Sequence, residues 1–518
     1  MKIFNVAGPC AKEDHYMIEA STRLKGVREL IDLKQYFVIH AARQSGKTTY
    51  LKDLTQRLNA EGKYYAVYCT LESLQGIEDV EKGIPQIVSC ISKALFKAKT
   101  PNNEQFAKDA NFFFFATVLN FELLKYCDTL DKPLVILFDE VDCLCETTLI
   151  SFLRQLRDGY NNRDIASFIH SVALVGMRNI RDYKVKIRPD SESLGSASPF
   201  NIVTETMTLK NFTKEEIASL YKQHTDATGQ IFEEEAIDFI SEQTSGQPWL
   251  VNAVAREIIV KILEYDYTKT ITAEMARTAI QTIIIRRDTH IDSLLSKLNE
   301  ERVRSIIEPM IMGEDFYDFL SDDYQYAVDL GLIKRDEYKI IPSNPIYAEV
   351  IIRTLTYGTQ QKFISEKSQA NIPDYLKDGK IDINLLMHEF QQFWRENSGI
   401  WVEKFQYKEA APHLILQAFL QRVINGGGDI IREPAANTKR SDLCIVYEGE
   451  KYPIELKIRR GEKTLQEGFE QLSEYMDIFG SNEGWLLIFD RNPEISWDEK
   501  IYYQQEILEG KIINVFGV

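Results

Sequence analysis

Apolar residues fall in short unbroken runs along the first part of the chain, at residues 36–39, 64–70, 134–138 and 172–177, with a more mixed run at 201–209. Strands of a parallel sheet are covered on both faces and read as continuous apolar runs rather than alternating ones. Between these runs, apolar positions three and four apart predict helices. The resulting alternation of strand and helix is that of an α/β fold on a parallel sheet. Residues 1–35 read as a mostly helical lead-in, with HYMI at 15–18, then Arg23, then a helix around 27–33. The aromatic run 112–115 reads as core.

After residue 209 the pattern turns helical. Thr213-x-x-Glu216 has the form of a capping box, and Ile217, Leu220, Ile237, Phe239 and Ile240 supply apolar helix faces before Lys297. Two more helical patterns precede a hairpin of 330–334 and 338–341, predicting a winged-helix-like module. Its acidic pair Asp322-Asp323 favours packing on the rest of the chain over contact with phosphates. A polar helical connector with Pro373 follows, and 440–458 predicts two strands joined by a tight turn at Glu448-Gly449. The expected domains are an α/β core at 1–210, a helical lid at 211–298, the winged-helix-like module at 299–355, the connector at 356–399 and a C-terminal α/β domain at 400–518.

A chain of 518 residues is too long for one core, which agrees with several domains. The net charge of −17 argues against a surface that coats nucleic acid broadly, but leaves room for a local basic groove. The seven cysteines have neither metal-ligand nor paired spacing, and an odd count fits reduced thiols and a cytoplasmic location. No leader-like segment or bilayer-length apolar run is expected to engage a membrane.

Candidate chemistry begins where the first strand ends, in HAARQSGKTT at 40–49. A strand, a loop and a helix opening at Gly46-Lys47-Thr48 form a phosphate cradle: backbone N–H groups over Ala42, Arg43, Gln44, Ser45, Gly46, Lys47, Thr48 and Thr49 face the phosphates. Lys47 reaches the β and γ oxygens of ATP, and the Thr48 hydroxyl can ligate Mg²⁺. Ala41 stands where a glycine usually opens such a loop, which is tolerable if that position has an ordinary φ. The strand at 134–138 delivers Asp139, placed to hold Mg²⁺, and Glu140, placed to activate the attacking water; Asp142 extends the acidic cluster. The fourth strand ends in Arg178-Asn179, from which Asn179 could contact the γ-phosphate or the water. Arg154 and Arg157, an i,i+3 pair on one helix face, with Arg163 beyond, are available to a neighbouring subunit's nucleotide in a homo-oligomer, to DNA, or merely to Asp158 and solvent, the last being favoured.

At the C-terminal hairpin, if Tyr447 opposes Glu450, Asp442 falls opposite Glu455, and Lys457 shares their face by the period of two. Leu443, Ile445, Ile454, Leu456 and Ile458 take the other face.

With its phosphate cradle, Asp139-Glu140 and Asn179, the first part of the chain resembles the AAA+ and STAND P-loop ATPases, and Gly246-Gln247-Pro248 resembles the G-x-P motif of their lid. Asp442, Glu455 and Lys457 resemble the D…E-x-K core of PD-(D/E)XK nucleases. That resemblance implies that Asp442 and Glu455 bind Mg²⁺ or Mn²⁺ while Lys457 orients the attacking water. It also implies a further metal-site residue at Glu409 or His413, and a Q-x-x-x-Y motif at Gln471 and Tyr475; Ser441 replaces the usual proline. Lys439, Arg440, Arg459 and Arg460 flank the site and could meet phosphates or solvent. Together the resemblances imply an ATP-binding and hydrolysing protein that couples a nucleotide switch to Mg²⁺-dependent cleavage of nucleic acid. The alternative is an ATP-switched regulator or scaffold whose nuclease-like domain only binds a partner.

Overall fold

The computed structural model describes residues 2–19, 23–176, 202–286, 289–311, 316–366, 375–377, 380–404, 411–425, 429–431, 443–459, 461, 463–492 and 494–518. They group into two units, one of residues 1–290 with 320–333 and 343–345, the other of residues 291–319, 334–342 and 346–518.

The first unit is built on the expected parallel sheet. Its strands β1 (Tyr36–His40), β2 (Tyr65–Thr70), β3 (Leu134–Asp139), β4 (Ser171–Gly176) and β5 (Val203–Thr208) lie in the order β2-β3-β4-β1-β5. Alternate residues serve opposite faces. Phe37 and Ile39 of β1 pack with helices α1 (Val27–Asp32) and α2 (Lys47–Ala60), whereas Tyr36 and Val38 pack with α3 (Val80–Ala98), α4 (Val118–Cys127) and α5 (Glu146–Asn161). Both faces are therefore dry at β1, β3 and β4, which is why those strand sequences are nearly continuously apolar, while the edge strand β5 is mixed and partly exposed. The carboxyl ends of β1, β3 and β4 share one edge of this sheet, where open α/β sheets bind ligands.

Two expectations fail here. Three of the four residues of the aromatic run are exposed rather than core: Phe113 is 84% exposed, and Phe112 and Phe114, which share a short 3-10 turn with it, are also open, while Phe115 packs against the core. The lead-in is not mostly helical. Residues 2–19 form a strap without helix, with Ile3 bridged to His15.

The lid helices are α6 (Lys214–Thr228), α7 (Glu234–Thr244), α8 (Pro248–Arg256) and α9 (Ala273–Arg286). Thr213 and Glu216 form the reciprocal capping box at the start of α6. Gly246 sits at φ 69°, and a Cβ there would lie 1.9 Å from the Phe212 carbonyl oxygen. Gly246→Ala is expected to destabilise the lid by about 2–5 kcal/mol, from the left-handed backbone and the clash combined. Hydrogen exchange across residues 212–256 should accelerate; unchanged exchange would contradict the close approach.

Residues 299–355 do not form a compact body of their own. α11 (Glu301–Ile311), which follows α10 (Thr289–Leu295), belongs to the second unit, and α12 (Asp322–Asp329) to the first. The ribbon is present as β6 (Ile333–Asp336) and β7 (Lys339–Pro342). Asp322 and Asp323 occupy the first turn of α12 behind the Ser321 cap, where the helix dipole favours acids. The turn at Gly331 packs on the phosphate loop so closely that a Cβ would meet that of Ala42 at 2.7 Å.

In the second unit, α13 (Pro345–Glu366) runs through the expected boundary at residue 355 and is followed by the small hairpin β8 (Leu376–Lys377) and β9 (Lys380–Ile381). α14 (Ile383–Lys404) and α15 (Ala411–Asn425) cover one face of a mixed sheet, β10 (Asp429–Ile431), β11 (Leu443–Tyr447), β12 (Glu450–Ile458), β13 (Glu483–Phe489), β15 (Lys511–Gly517) and β14 (Tyr502–Leu508), in that order. α16 (Lys463–Phe479) covers the other face. Leu386, Phe390 and Trp394 of α14 are core residues of this sheet, so 375–396 belongs to the C-terminal fold and not to a free connector. Glu448 (φ 49°) and Gly449 (φ 84°) are both left-handed, as a two-residue type I′ hairpin requires, and the register is Tyr447 opposite Glu450 and Leu443 opposite Ile454.

Candidate functional site

The loop after β1 has the geometry of a phosphate cradle. Gly46, at φ 91°, caps α2, and Gln44 is also left-handed at φ 59°, so the turn that the loop requires is made at those residues. Ala41 is buried in the core and not among the positive-φ residues, which is why a methyl group is tolerated there. Lys47 is buried, and its Nζ donates to the carbonyls of Ala41 (2.6 Å) and Ala42 (3.0 Å). Burial lowers its pKa, and Glu140, Asp142 and Asp139 oppose that shift, so the acidic edge helps to keep the ammonium charged.

Thr48 and Asp139 come together from separate elements: Thr48 Oγ1 donates to Asp139 Oδ2 at 2.7 Å, and the Tyr68 hydroxyl donates to the same oxygen at 3.0 Å. A hydroxyl and a carboxylate side by side are the hard oxygen donors that Mg²⁺ prefers, in a number suited to an ion that also keeps phosphates and waters. Among the described residues there is no cluster of three or more His, Cys, Asp or Glu that could hold a metal by itself. Glu140 has a left-handed backbone, φ 58°, and its pKa is raised by burial, then by Asp142 and Asp139, against the pull of Lys47. A carboxylate shifted toward neutrality is better matched to proton transfer than a solvated one.

Beside the loop lies a cleft. Its walls are the strap (Asn5, Val6, Tyr16, Met17, Ile18), the loop (Gln44, Ser45, Gly46) and the lid (Leu220, Pro248, Trp249, Asn252). The strap is held to the lid by Trp249 Nε1 donating to the Val6 carbonyl (2.8 Å) and by the Gln223 side chain paired with the Met17 backbone (2.9 and 3.3 Å). Arg23 donates to the carbonyls of Ser45 and Lys210 and lies 4.7 Å from the centre of the Phe212 ring, joining loop and lid. The Thr49 side-chain Oγ1 accepts the Cys10 N–H at 3.0 Å. Arg43 is exposed, and the Gln44 carbonyl receives Gln247 Nε2 at 3.5 Å. Of the strap, only HYMI stood out in the sequence. Asn5, Val6, Trp249 and Asn252 carry no local signal, although the last two follow Gly246-Gln247-Pro248 directly.

Arg163 is engaged within its own unit: it donates to the carbonyls of Lys34 (2.8 Å) and His170 (3.1 Å) and lies 3.8 Å from the centre of the Tyr160 ring. Arg154 is exposed on α5. Asn179 lies outside the described residues.

In the C-terminal unit, Lys457 Nζ stands 2.9 Å from Glu455 Oε1 and donates to Gln471 Oε1, so three of the residues expected there meet. The pairing of Glu455 with Leu486 and of Lys457 with Ile488 turns both toward α16. Glu455 is only 1% exposed, because α16 lies over the sheet, whereas Lys457 is half-buried and Gln471 is exposed. Tyr475 and His413 are buried, and Arg459, itself exposed, pairs with the buried Asp490 at 3.3 Å. Asp442, Glu409, Lys439, Arg440, Ser441 and Arg460 lie outside the described residues.

The model of the AAA-like domain family matches residues 8–351, about two thirds of the chain. The chain belongs to that family. Its matched region takes in the strap from residue 8 on, the cradle, the acidic edge and the lid, and ends inside α13. The AAA-like chain is also similar to the Walker-type ATPase of Pyrococcus abyssi, at 15% identity and a TM-score of 0.46, covering 67% of this chain and 99% of that one. Similarity extends to the Thermotoga maritima RuvB Holliday junction branch migration motor (13% identity, TM-score 0.34, 64% and 92% covered). It extends also to the Aeropyrum pernix Orc1 protein in complex with DNA (10% identity, TM-score 0.35, 68% and 95% covered). No curated protein matches the sequence. Among the described residues no helix is long and apolar enough to cross a membrane.

Proposed function

We propose that this AAA-like protein binds and hydrolyses ATP in the cleft, and that its C-terminal domain is a PD-(D/E)XK-type nuclease under nucleotide control. The contact of Thr48 Oγ1 with Asp139 Oδ2, at 2.7 Å beside the Lys47 cradle, carries the first half. The adenine rests against the apolar strap and lid, at Val6, Ile18, Leu220 and Pro248. Backbone N–H groups at the start of α2 receive the phosphates, and the Lys47 ammonium turns from the loop carbonyls to the β and γ oxygens. Thr48 and Asp139 would hold Mg²⁺, and the ion would supply charge neutralisation for the phosphates. Glu140 orients a water and accepts its proton, with Asn179 as a further polar contact at the γ-phosphate. Arg154 remains a candidate for completing the site of a second copy in a homo-oligomer. Phosphate release from ATP that needs Mg²⁺ is the expected result; no release above a protein-free control would contradict it.

The nuclease half rests on the hairpin register and the Glu455–Lys457–Gln471 group, with Asp442 assigned to the metal by resemblance. Glu455→Gln and Lys457→Ala are expected to lower divalent-dependent cleavage of DNA or RNA by about 100-fold or more, leaving ATP turnover unchanged. The burial of Glu455 under α16 favours the rival reading, a scaffold that binds its partner without cutting. Cleavage insensitive to both substitutions, or absent from wild type with Mg²⁺ and Mn²⁺, with and without ATP, would decide for the scaffold.

A further inference from the structure

We infer that Tyr68 is a positioning residue for the metal site: its hydroxyl fixes the Asp139 carboxylate in the orientation that serves Mg²⁺ beside Thr48. This rests on the reading of Thr48 and Asp139 as the magnesium pair. Asp139 is 1% exposed, and a buried carboxylate must find its donors within the protein. It has three: Thr48 Oγ1 and the Tyr68 hydroxyl on Oδ2, at 2.7 and 3.0 Å, and the Glu140 N–H on Oδ1, at 3.1 Å. The Glu140 N–H belongs to the next residue and follows the backbone. Thr48 belongs to the phosphate loop, and its hydroxyl oxygen is itself required by the ion. Tyr68 comes from neither loop, so it can hold the carboxylate whatever the nucleotide does.

The strands put the phenol there. Tyr68 pairs with Leu137 on the adjacent β3, so it stands two residues short of the sheet edge where Asp139 lies, and its ring spans that distance on the face covered by α2. Lys52 of α2 lies over the ring, with Nζ 5.5 Å from its centre, which restrains the ring's swing. Tyr68 does not line the cleft, so its loss leaves the nucleotide walls untouched. Partners that orient a metal ligand typically contribute about 10- to 100-fold in metal affinity.

Tyr68→Phe keeps the ring and removes the donor. The test is a titration of Mn²⁺, followed by electron paramagnetic resonance, into protein saturated with a non-hydrolysable ATP analogue, beside nucleotide binding in chelator. The expected result is a metal half-saturation point about 10-fold or more higher in the variant, with chelator-phase nucleotide affinity unchanged and wild-type hydrolysis recovered at high Mg²⁺. Tyr65→Phe, on the same strand with its hydroxyl on the exposed Asp131, should leave all three unchanged. An unaltered half-saturation point in Tyr68→Phe overturns the inference alone, and a fall in chelator-phase affinity overturns it in favour of a structural role. Failure of the wild type to bind the analogue overturns the ATP-site reading with it.

Discussion

Lys47→Ala is expected to weaken ATP binding by about 100-fold or more, because it removes two charge-assisted hydrogen bonds to the β and γ phosphates at about 1.5–3 kcal/mol each. The ammonium is already in place: Lys47 opens α2 directly behind Gly46, and its Nζ is held on the carbonyls of Ala41 and Ala42. Those carbonyls are poor competitors for a cation that can reach phosphate, so incoming nucleotide replaces them. Alanine at the first position of a helix leaves the loop backbone intact, so the loss should appear in affinity far more than in folding. Lys47→Arg keeps the charge but brings a larger planar group into a buried niche, and should also bind weakly. Isothermal titration of each variant with ATP is the check. Wild-type affinity in Lys47→Ala would mean that the loop does not hold the phosphates.

The parts of the fold that depend on local pattern were legible in the sequence. Continuous apolar runs located four strands of the first sheet and a more mixed run the fifth, Thr213 and Glu216 marked the start of α6, and Glu448-Gly449 fixed a hairpin register that the structure reproduces. What escaped depends on distant partners. The strap carries no helical or strand period, since it is held by lid side chains more than two hundred residues away, as in the contact from Trp249 to Val6. The phenylalanines at 112–114 are as apolar as any core run, and only the turn they form exposes them. Leu386, Phe390 and Trp394 follow helical spacing, but polar surroundings hid the sheet they cover. Tyr68 looked like one more strand residue; its bond to Asp139 exists only because β2 lies beside β3.

Glu140→Gln is expected to slow hydrolysis by about 100-fold or more, the contribution typical of a positioned general base, while leaving ATP affinity equal to wild type or better. The amide is nearly isosteric and can still bind a water, but it has no basic oxygen to take the proton. Glu140 stands in a left-handed backbone conformation at the edge where Asp139 and Asp142 also converge, with its pKa raised by burial. Removing its charge relieves repulsion among these acids and between them and the phosphates, so binding has no reason to fall. Separation of binding from chemistry by one atom is what distinguishes an ATP-hydrolysing cleft from a site that only holds nucleotide. The most direct measurement is therefore single-turnover phosphate release from Mg²⁺·ATP by wild type and Glu140→Gln, each at saturating protein. Stoichiometric release by the wild type, with the variant fully loaded but about 100-fold slower, is the result predicted; equal rates in the two proteins would contradict the account.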